Sequence, residues 1–391
     1  MIDKNLSDIN IDDIQELIDN SISEEKIIDF KIGYSFLKLD KDKGEFLADI
    51  SSFANTSGGS LIFGIKEEEA IAKEIVGFEV NDQDEEIRKI ENLIRDGIRP
   101  RINVESRFVS VGGTKYVLIV RTAKSWFSPH RVIFNGYPKT KDQFYARNSN
   151  GNYQLDVDQL RNAFNLNATL IEMVRNFRIQ RISEIIADNT PVTLLQGAKT
   201  ILHIIPIESF TPDRNFNVTE INDPEKLRPP RAVGYSSRVN LDGFLTFYKE
   251  SSKDLSHSYV QMYRTGIIEA VGTFVSIDKE KQLLSYKYEQ YCLDMLKNYL
   301  SYLKELKVNP QILIFLTITG VKGFKMAPYE WLFGFDFHEI DRDVLNLPEH
   351  LLQSYDEKPE DILRPMYDVV WNACGHERSY NFDENGNWIM R

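Results

Sequence analysis

FANTSGGSLIFGIKEE, residues 53–68, passes from helix-spaced apolar residues through a Gly-Gly turn into a short apolar strand that ends in acids. Upstream, residues 46–54 (FLADISSFA) have helical apolar spacing and stop at Asn55; residues 60–65 (SLIFGI) then read as a strand. Gly58 and Gly59 supply the backbone freedom for the reversal, and Gly64 lets another backbone approach the strand. Such a turn can cradle phosphate, with Asn55, Thr56, Gly58 and Gly59 as the residues concerned. It is equally the form of a tight helix-to-strand turn, because neither GxxxxGK[ST] nor GxGxxG is present.

Working outward, residues 11–21 form an amphipathic helix and residues 27–32 an extended stretch. Residues 84–95 predict a second amphipathic helix, stopped by Gly97 and Pro100. Strands follow over 103–111, 116–122 and 143–147, the first two joined at Gly112-Gly113. A helix over 156–164, capped by Asp156, closes the unit. The expected fold is an α+β domain with a mixed sheet over residues 24–165, preceded by a helical segment, 1–23. A helix over 170–186 links it to a mixed α/β domain, 166–391. There, strands are expected at 200–207 and 311–318 and within 231–246 and 258–277. Helices are expected at 286–306 and 365–372, the last with Pro365 in its first turn.

The bulk composition fits globular domains: 391 residues, 42% hydrophobic and 27% charged. The acidic N-terminus lacks the order of a signal peptide, and no apolar run reaches the roughly 18 to 20 residues of a membrane span. With only Cys292 and Cys374, neither a disulfide framework nor a cysteine zinc site is expected. A cytoplasmic location follows as an expectation. The net charge of −12 argues against a nucleic-acid partner until its distribution is read. Residues 1–87 hold 8 Lys and Arg against 22 Asp and Glu, whereas residues 88–147 hold 13 against 4. A basic segment inside an acidic chain fits a phosphate-binding surface, or else pairs with the acidic stretch before it. Its candidates are Arg99, Arg101, Arg121, Lys124, Arg131, Lys139, Lys141 and Arg147, with Tyr137, Phe144 and Tyr145 interleaved.

The stretch EEKIIDFK, residues 24–31, sets Asp29 and Lys31 two apart, on one face of a strand. Glu24 does not share that face by parity and comes from the preceding helix end or turn. The alternative for a lone DxK is a solvated strand face. Of six histidines, His203 sits in an apolar strand and reads as core, while His130 lies in the basic segment and is a candidate to face a ligand.

EEKIIDFK, FANTSGGSLIFGIKEE, IRPRINV and FYARNSN, in this order and spacing, resemble the AlbA-type core domain of the Schlafen family over roughly residues 20–165. That domain was once described as a divergent AAA domain. The matching motifs are Asp29-Phe30-Lys31, the segment 52–59, the strand 62–67, Pro100, and Tyr145-Ala146-Arg147-Asn148-Ser149; Ser52 stands where the family usually has alanine. Carried over residue by residue, the resemblance implies a metal-dependent nuclease site of Glu24, Asp29 and Glu67, with Lys31 serving the transition state. The family usually has glutamate at the position of Asp29 and aspartate at that of Glu67. Mg²⁺ or Mn²⁺ is the implied cofactor, held by carboxylates, waters and phosphate. The implied activity is an endoribonuclease acting on tRNA or other structured RNA, RNA before DNA, as a defence or growth-arrest effector. Many prokaryotic relatives are instead described as ATP-binding or DNA-binding regulators that cleave nothing. The C-terminal region is expected to sense a trigger or mediate self-association into a homo-oligomer.

Overall fold

The computed structural model describes residues 4, 6–24, 26–33, 38–135, 142–211, 214–250, 254–273, 283–284, 287–326 and 338–389. Tyr137, Lys139 and Lys141 lie outside them. The chain divides into two compact units, Met1–Thr169 and Leu170–Arg391.

In the first unit, α1 (Ile11–Asp19) starts at a capping box: the Asn10 side chain accepts from the N–H groups of Asp12 and Asp13, and Asp13 accepts from the Asn10 N–H. β1 (Ile28–Lys31), α2 (Asp40–Asn55) and β2 (Gly59–Phe63) follow, β1 and β2 pairing in parallel. β3 (Ile65–Glu68) and β4 (Ile71–Ile75) form a hairpin that was not expected. Its two-residue turn puts Glu69 and Ala70 at φ 53° and 60°, a conformation that usually announces itself by Gly or Asn and here does not.

Next come β5 (Phe78–Glu79), α3 (Gln83–Gly97), β6 (Ile98–Arg99), β7 (Val104–Gly112) and β8 (Lys115–Thr122). β2, β5 and β7 each pair antiparallel with β8. β9 (Arg131–Val132), β10 (Gln143–Asn148) and β11 (Gly151–Gln154) complete a second sheet in the order β11-β10-β9-β6.

Strand alternation splits the core. Ile28, Phe30, Ile62 and Ile119 pack with Ile14 and Leu17 of α1. Leu61, Phe63 and Val120 pack on the opposite face with Phe46, Leu47, Ile50 and Phe53 of α2 and Ile90 and Ile94 of α3. Asp29 and Lys31, odd in the strand, are thereby delivered to the α2 side.

α4 (Val157–Ile186) is one helix of 30 residues, where two had been expected with a break near Asn165. No Gly or Pro interrupts residues 157–186, so nothing in the local chemistry ends the helix there. Asp156 does cap it, its Oδ1 accepting the Gln159 N–H at 2.8 Å while the Gln159 side chain returns the bond.

The second unit is built on an antiparallel sheet. Its strands are β12 (Lys199–Pro206), β13 (Ser236–Val239), β14 (Gly243–Lys249), β15 (Ser256–Tyr263) and β16 (Ile268–Thr273), with a short pair, β17 (Leu283–Leu284) and β19 (Lys325–Met326), outside it. Helix α5 (Tyr288–Glu305), β18 (Ile312–Thr319), β20 (Val344–Asn346), β21 (His350–Leu352) and α6 (Pro359–Ala373) complete the unit. The order is β13-β14-β15-β16-β12-β18-β20, with β21 also on β18. One face packs against α5 and α6, through residues such as Leu202, Ile314, Leu296 and Trp371. The other carries Ile201, Tyr259 and Val271 against Ile182 and Ile185 of α4. The proline expected at the start of α6 is corrected: Pro359 occupies the first turn and Pro365 is interior. Cys292 and Cys374 are both free and buried. Among the described residues, no helix is long and apolar enough to cross a membrane.

Candidate nucleic-acid site and its carboxylate cluster

On the α2 side of β1, Lys31 Nζ stands 2.6 Å from Asp29 Oδ1 and 3.8 Å from Asp49 Oδ2. Arg147 of β10 closes the cluster, its Nη2 2.5 Å from Asp29 Oδ2 and its Nη1 3.4 Å from Asp49 Oδ1. Its guanidinium lies over the Phe53 ring at 4.6 Å, and its backbone N–H donates to Thr56 Oγ1. Asn152 of β11 donates to Asp49 Oδ1.

Asp49 and Asn152 were missed on the sequence. The signal was there for Asp49: it shares a helical face with Phe46 and Phe53, an acid in the middle of an apolar stripe. Nothing in the sequence marks Asn152. Arg147 is corrected as a phosphate contact, because it is 4% exposed and committed to two carboxylates, out of reach of a surface ligand.

The charges tune one another. Burial alone would raise the Asp29 carboxyl, but Lys31 and Arg147 outweigh it and hold the group below its usual range. Burial pushes Asp49 up to about 6, with the Asp29 charge adding to it against the opposing pull of Lys31 and Arg147. Glu24 lies in the turn before β1, as strand parity required, and its Oε1 accepts the Phe30 N–H at 2.8 Å. Burial pushes its carboxyl up to about 7, and the neighbouring Asp29 and Glu67 charges reinforce that.

Glu24, Asp29 and Glu67 therefore lie within electrostatic reach of one another, but their arrangement does not fit a divalent cation. Both Asp29 oxygens already face fixed cations, and an ion placed there would meet two positive charges at close range. Glu67 is exposed on the β3–β4 hairpin. Among the described residues, no three His, Cys, Asp or Glu side chains are grouped to hold a metal ion.

The Gly-Gly turn is a clasp rather than a cradle, a second correction. Asn55 Nδ2 donates to the carbonyls of His130 (3.0 Å) and Tyr145 (2.8 Å), and its Oδ1 accepts the His130 N–H at 2.7 Å. Thr56 holds Arg147. A Cβ on Gly58, at φ +72°, would lie 2.7 Å from the Lys124 nitrogen, and one on Gly59 would lie 2.3 Å from the Phe53 ring. The closeness that excludes side chains here is met by protein, which leaves no cleft for phosphate at this turn.

His130 is corrected too: it is buried, its Nδ1 lies 2.9 Å from the Pro100 carbonyl, and burial pushes its pKa down to about 4. Tyr145 is core, and Phe144 packs edge-on to Phe164 at 6.2 Å. His203 is buried, as its strand predicted, and meets Glu269 at 3.0 Å.

The remaining basic candidates divide. Arg121 donates to the Lys4 carbonyl, and Lys124 Nζ lies 4.1 Å over the Trp126 ring. Arg99, Arg101 and Arg131 are exposed. β6 and β9 pair so that Arg99 and Arg131 are direct cross-strand partners. The nearest acid to Arg131 is Asp142, 3.8 Å away, and Arg99 donates to the carbonyls of Arg95 and Ile98.

Residues 24–156 match the family model described as Schlafen, AlbA_2. No curated protein matches the chain. Among solved structures, the DIP2311 protein from Corynebacterium diphtheriae is 18% identical, with a TM-score of 0.26, over 37% of this chain and 26% of that one. The N-terminal domain of a RecG-related protein from Nitrosomonas europaea is 22% identical, with a TM-score of 0.24, over 32% of this chain and 82% of that one. The chain thus spans about a quarter of the length of the DIP2311 protein.

Proposed function

We propose that this chain, whose residues 24–156 form a Schlafen AlbA_2 domain, binds nucleic acid on the surface carrying Arg99, Arg101 and Arg131. The observation that carries the reading is the β6–β9 register. Like charges directly opposite on paired strands cost stability, and Arg99 and Arg131 stand so, with Asp142 3.8 Å from Arg131 and Asp96 within electrostatic reach of Arg99. A polyanion offsets that cost by neutralising both at once. Arg101, two residues beyond Arg99, extends the patch.

The test is anisotropy titration of the full chain with labelled tRNA and single-stranded DNA across a salt series. Binding should weaken steeply with salt, and Arg99→Glu/Arg131→Glu should lower the slope of log K against log salt by roughly 1.4 for a single strand, about 0.7 per lost contact. Salt-insensitive binding, or a slope unchanged in the double variant, sinks the reading.

A finer reading, an endoribonuclease acting on tRNA, is favoured by one observation: the Glu24 carboxyl, pushed up chiefly by burial, also feels the neighbouring Asp29 and Glu67 charges. It requires these acids to be freed from their present partners. Incubation with tRNA in Mn²⁺ or EDTA, beside Glu24→Gln, decides it. Cleavage that depends on Mn²⁺ and is lost in the variant supports the nuclease; intact tRNA bound with the salt dependence above leaves a binding protein.

A further inference from the structure

The second unit contains a cleft of about 460 Å³ between the segment 228–232 and one face of α5, and nothing in the first unit's chemistry uses it. Its segment, Arg228-Pro229-Pro230-Arg231-Ala232, is fixed to an unusual degree. Three hydroxyls of buried residues donate to two of its carbonyls and to the one just before it. Thr246 bonds the Leu227 carbonyl, Tyr299 the Arg228 carbonyl at 2.8 Å, and Ser258 the Pro230 carbonyl at 2.7 Å. Pro230 packs on the bare face of Gly272, where a Cβ would come to 3.0 Å. Arg231 is held at φ +60°, a left-handed conformation that costs an arginine energy and persists only where the surroundings enforce it.

The charged side chains this rigid segment presents are two arginines. Among the described residues neither forms an ion pair. Arg231 lies 5.4 Å over the ring of Tyr291, and Arg228 lies 5.9 Å over that of Tyr235. Among the described residues, each otherwise donates to a backbone carbonyl, at 3.5 and 3.4 Å. Across the cleft, Tyr291, Asp294 and Lys297 recur every three residues along α5, on one face. Lys297 is held by Glu360 and Asp294 by Gln290, while Tyr291 is 37% exposed. The lining thus carries three cations against one acid in a chain of net charge −12.

We infer that this cleft binds a nucleotide, its phosphates on Arg228 and Arg231 and its base against Tyr291. Guanidinium groups suit phosphate because their planar donor fork matches its oxygens. An exposed tyrosine face stacks on any base. The volume falls in the range of small-ligand pockets. The fixed segment holds the cationic arms in place before the ligand arrives, so little ordering cost remains on binding. Asp294, beside Tyr291, is placed to accept from a ribose hydroxyl. None of its lining residues belongs to the first unit.

The test is calorimetric titration of the full chain with the four ribonucleoside diphosphates, with inorganic pyrophosphate, and with adenosine. At least one diphosphate should bind saturably. Arg228→Gln/Arg231→Gln should weaken that diphosphate and pyrophosphate alike, by roughly tenfold or more per lost charged contact. Tyr291→Leu should weaken the nucleotide by roughly fivefold or more and leave pyrophosphate unchanged. Circular dichroism verifies that the variants fold; should the double variant not fold, Tyr291→Leu decides alone through the contrast between nucleotide and pyrophosphate. The inference is overturned if no diphosphate binds, if binding survives the arginine double variant, or if Tyr291→Leu weakens nucleotide and pyrophosphate equally. Arg99→Glu, in the first unit, should leave nucleotide binding intact.

Discussion

Arg147 Nη2 stands 2.5 Å from Asp29 Oδ2, joining two strands of the first unit whose partners here are 118 residues apart in sequence. Removing the cation takes from buried Asp29 its buried partner and leaves the more exposed Lys31 beside it. Arg147→Met should destabilise the first unit by about 3 to 5 kcal/mol, read as a shift of the urea midpoint. Adding Asp29→Asn should restore part of that loss. A double variant no more stable than Arg147→Met would show that Asp29 was never uncompensated.

Glu24 supplies a pH signature. In the folded protein it holds its proton up to about pH 7, whereas an unfolded glutamate loses it near about 4.3. Between those values the folded state binds more protons, so this group's contribution to stability falls as pH rises through the window. Asp29, held low by Lys31 and Arg147, acts oppositely: its contribution is present above the unfolded carboxylate value and lost as pH falls. Glu24→Gln should therefore flatten the decline in melting temperature between about pH 4.3 and 7. An unchanged profile would mean that Glu24 titrates normally.

Asn55 separates a clasp from a phosphate cradle. Asn55→Ala strips partners from the His130 N–H and from the carbonyls of His130 and Tyr145. The expected cost is about 3 kcal/mol, from one to three buried groups left unsatisfied. Nucleic-acid affinity, measured at a temperature where the variant remains folded, should be that of the wild type. A variant of full stability and lost affinity would restore the cradle.

Glu289 anchors the end of the second unit. It is fully buried and accepts from Trp371 Nε1 at 2.7 Å, Ser379 Oγ at 2.7 Å and Asn381 Nδ2 at 2.8 Å. Burial pushes its carboxyl up to about 7 despite these donors. Glu289→Ala removes the acceptor shared by three buried donors and should cost about 3 kcal/mol or more. Hydrogen exchange should show its largest loss of protection in residues 376–389. A uniform change across the unit would contradict a local anchor.

Much of the first unit was legible because its strands alternate and its helices carry one apolar face. Ile28 and Phe30 face one way and Asp29 and Lys31 the other, a consequence of period two that needs no tertiary knowledge. The β3–β4 hairpin escaped notice because Glu69 and Ala70 lack turn chemistry. The length of α4 was misjudged because its apolar pattern was read as two helices, 156–164 and 170–186, while no residue between them opposes a helix.

The chain by itself determined that Asp29 and Lys31 share a face, that Glu24 stands off that face, and that residues 88–147 concentrate positive charge. Those facts follow from periodicity and composition, which are local. Only the tertiary structure decided which charges are spent inside. Arg147 became the buried partner of Asp29 and Asp49, Asn55 a backbone clasp, and Arg99 and Arg131 an exposed pair. The physical reason is that burial and partnership are set by strands and helices far apart in sequence, and a charge means something different in water than beside another charge in the core.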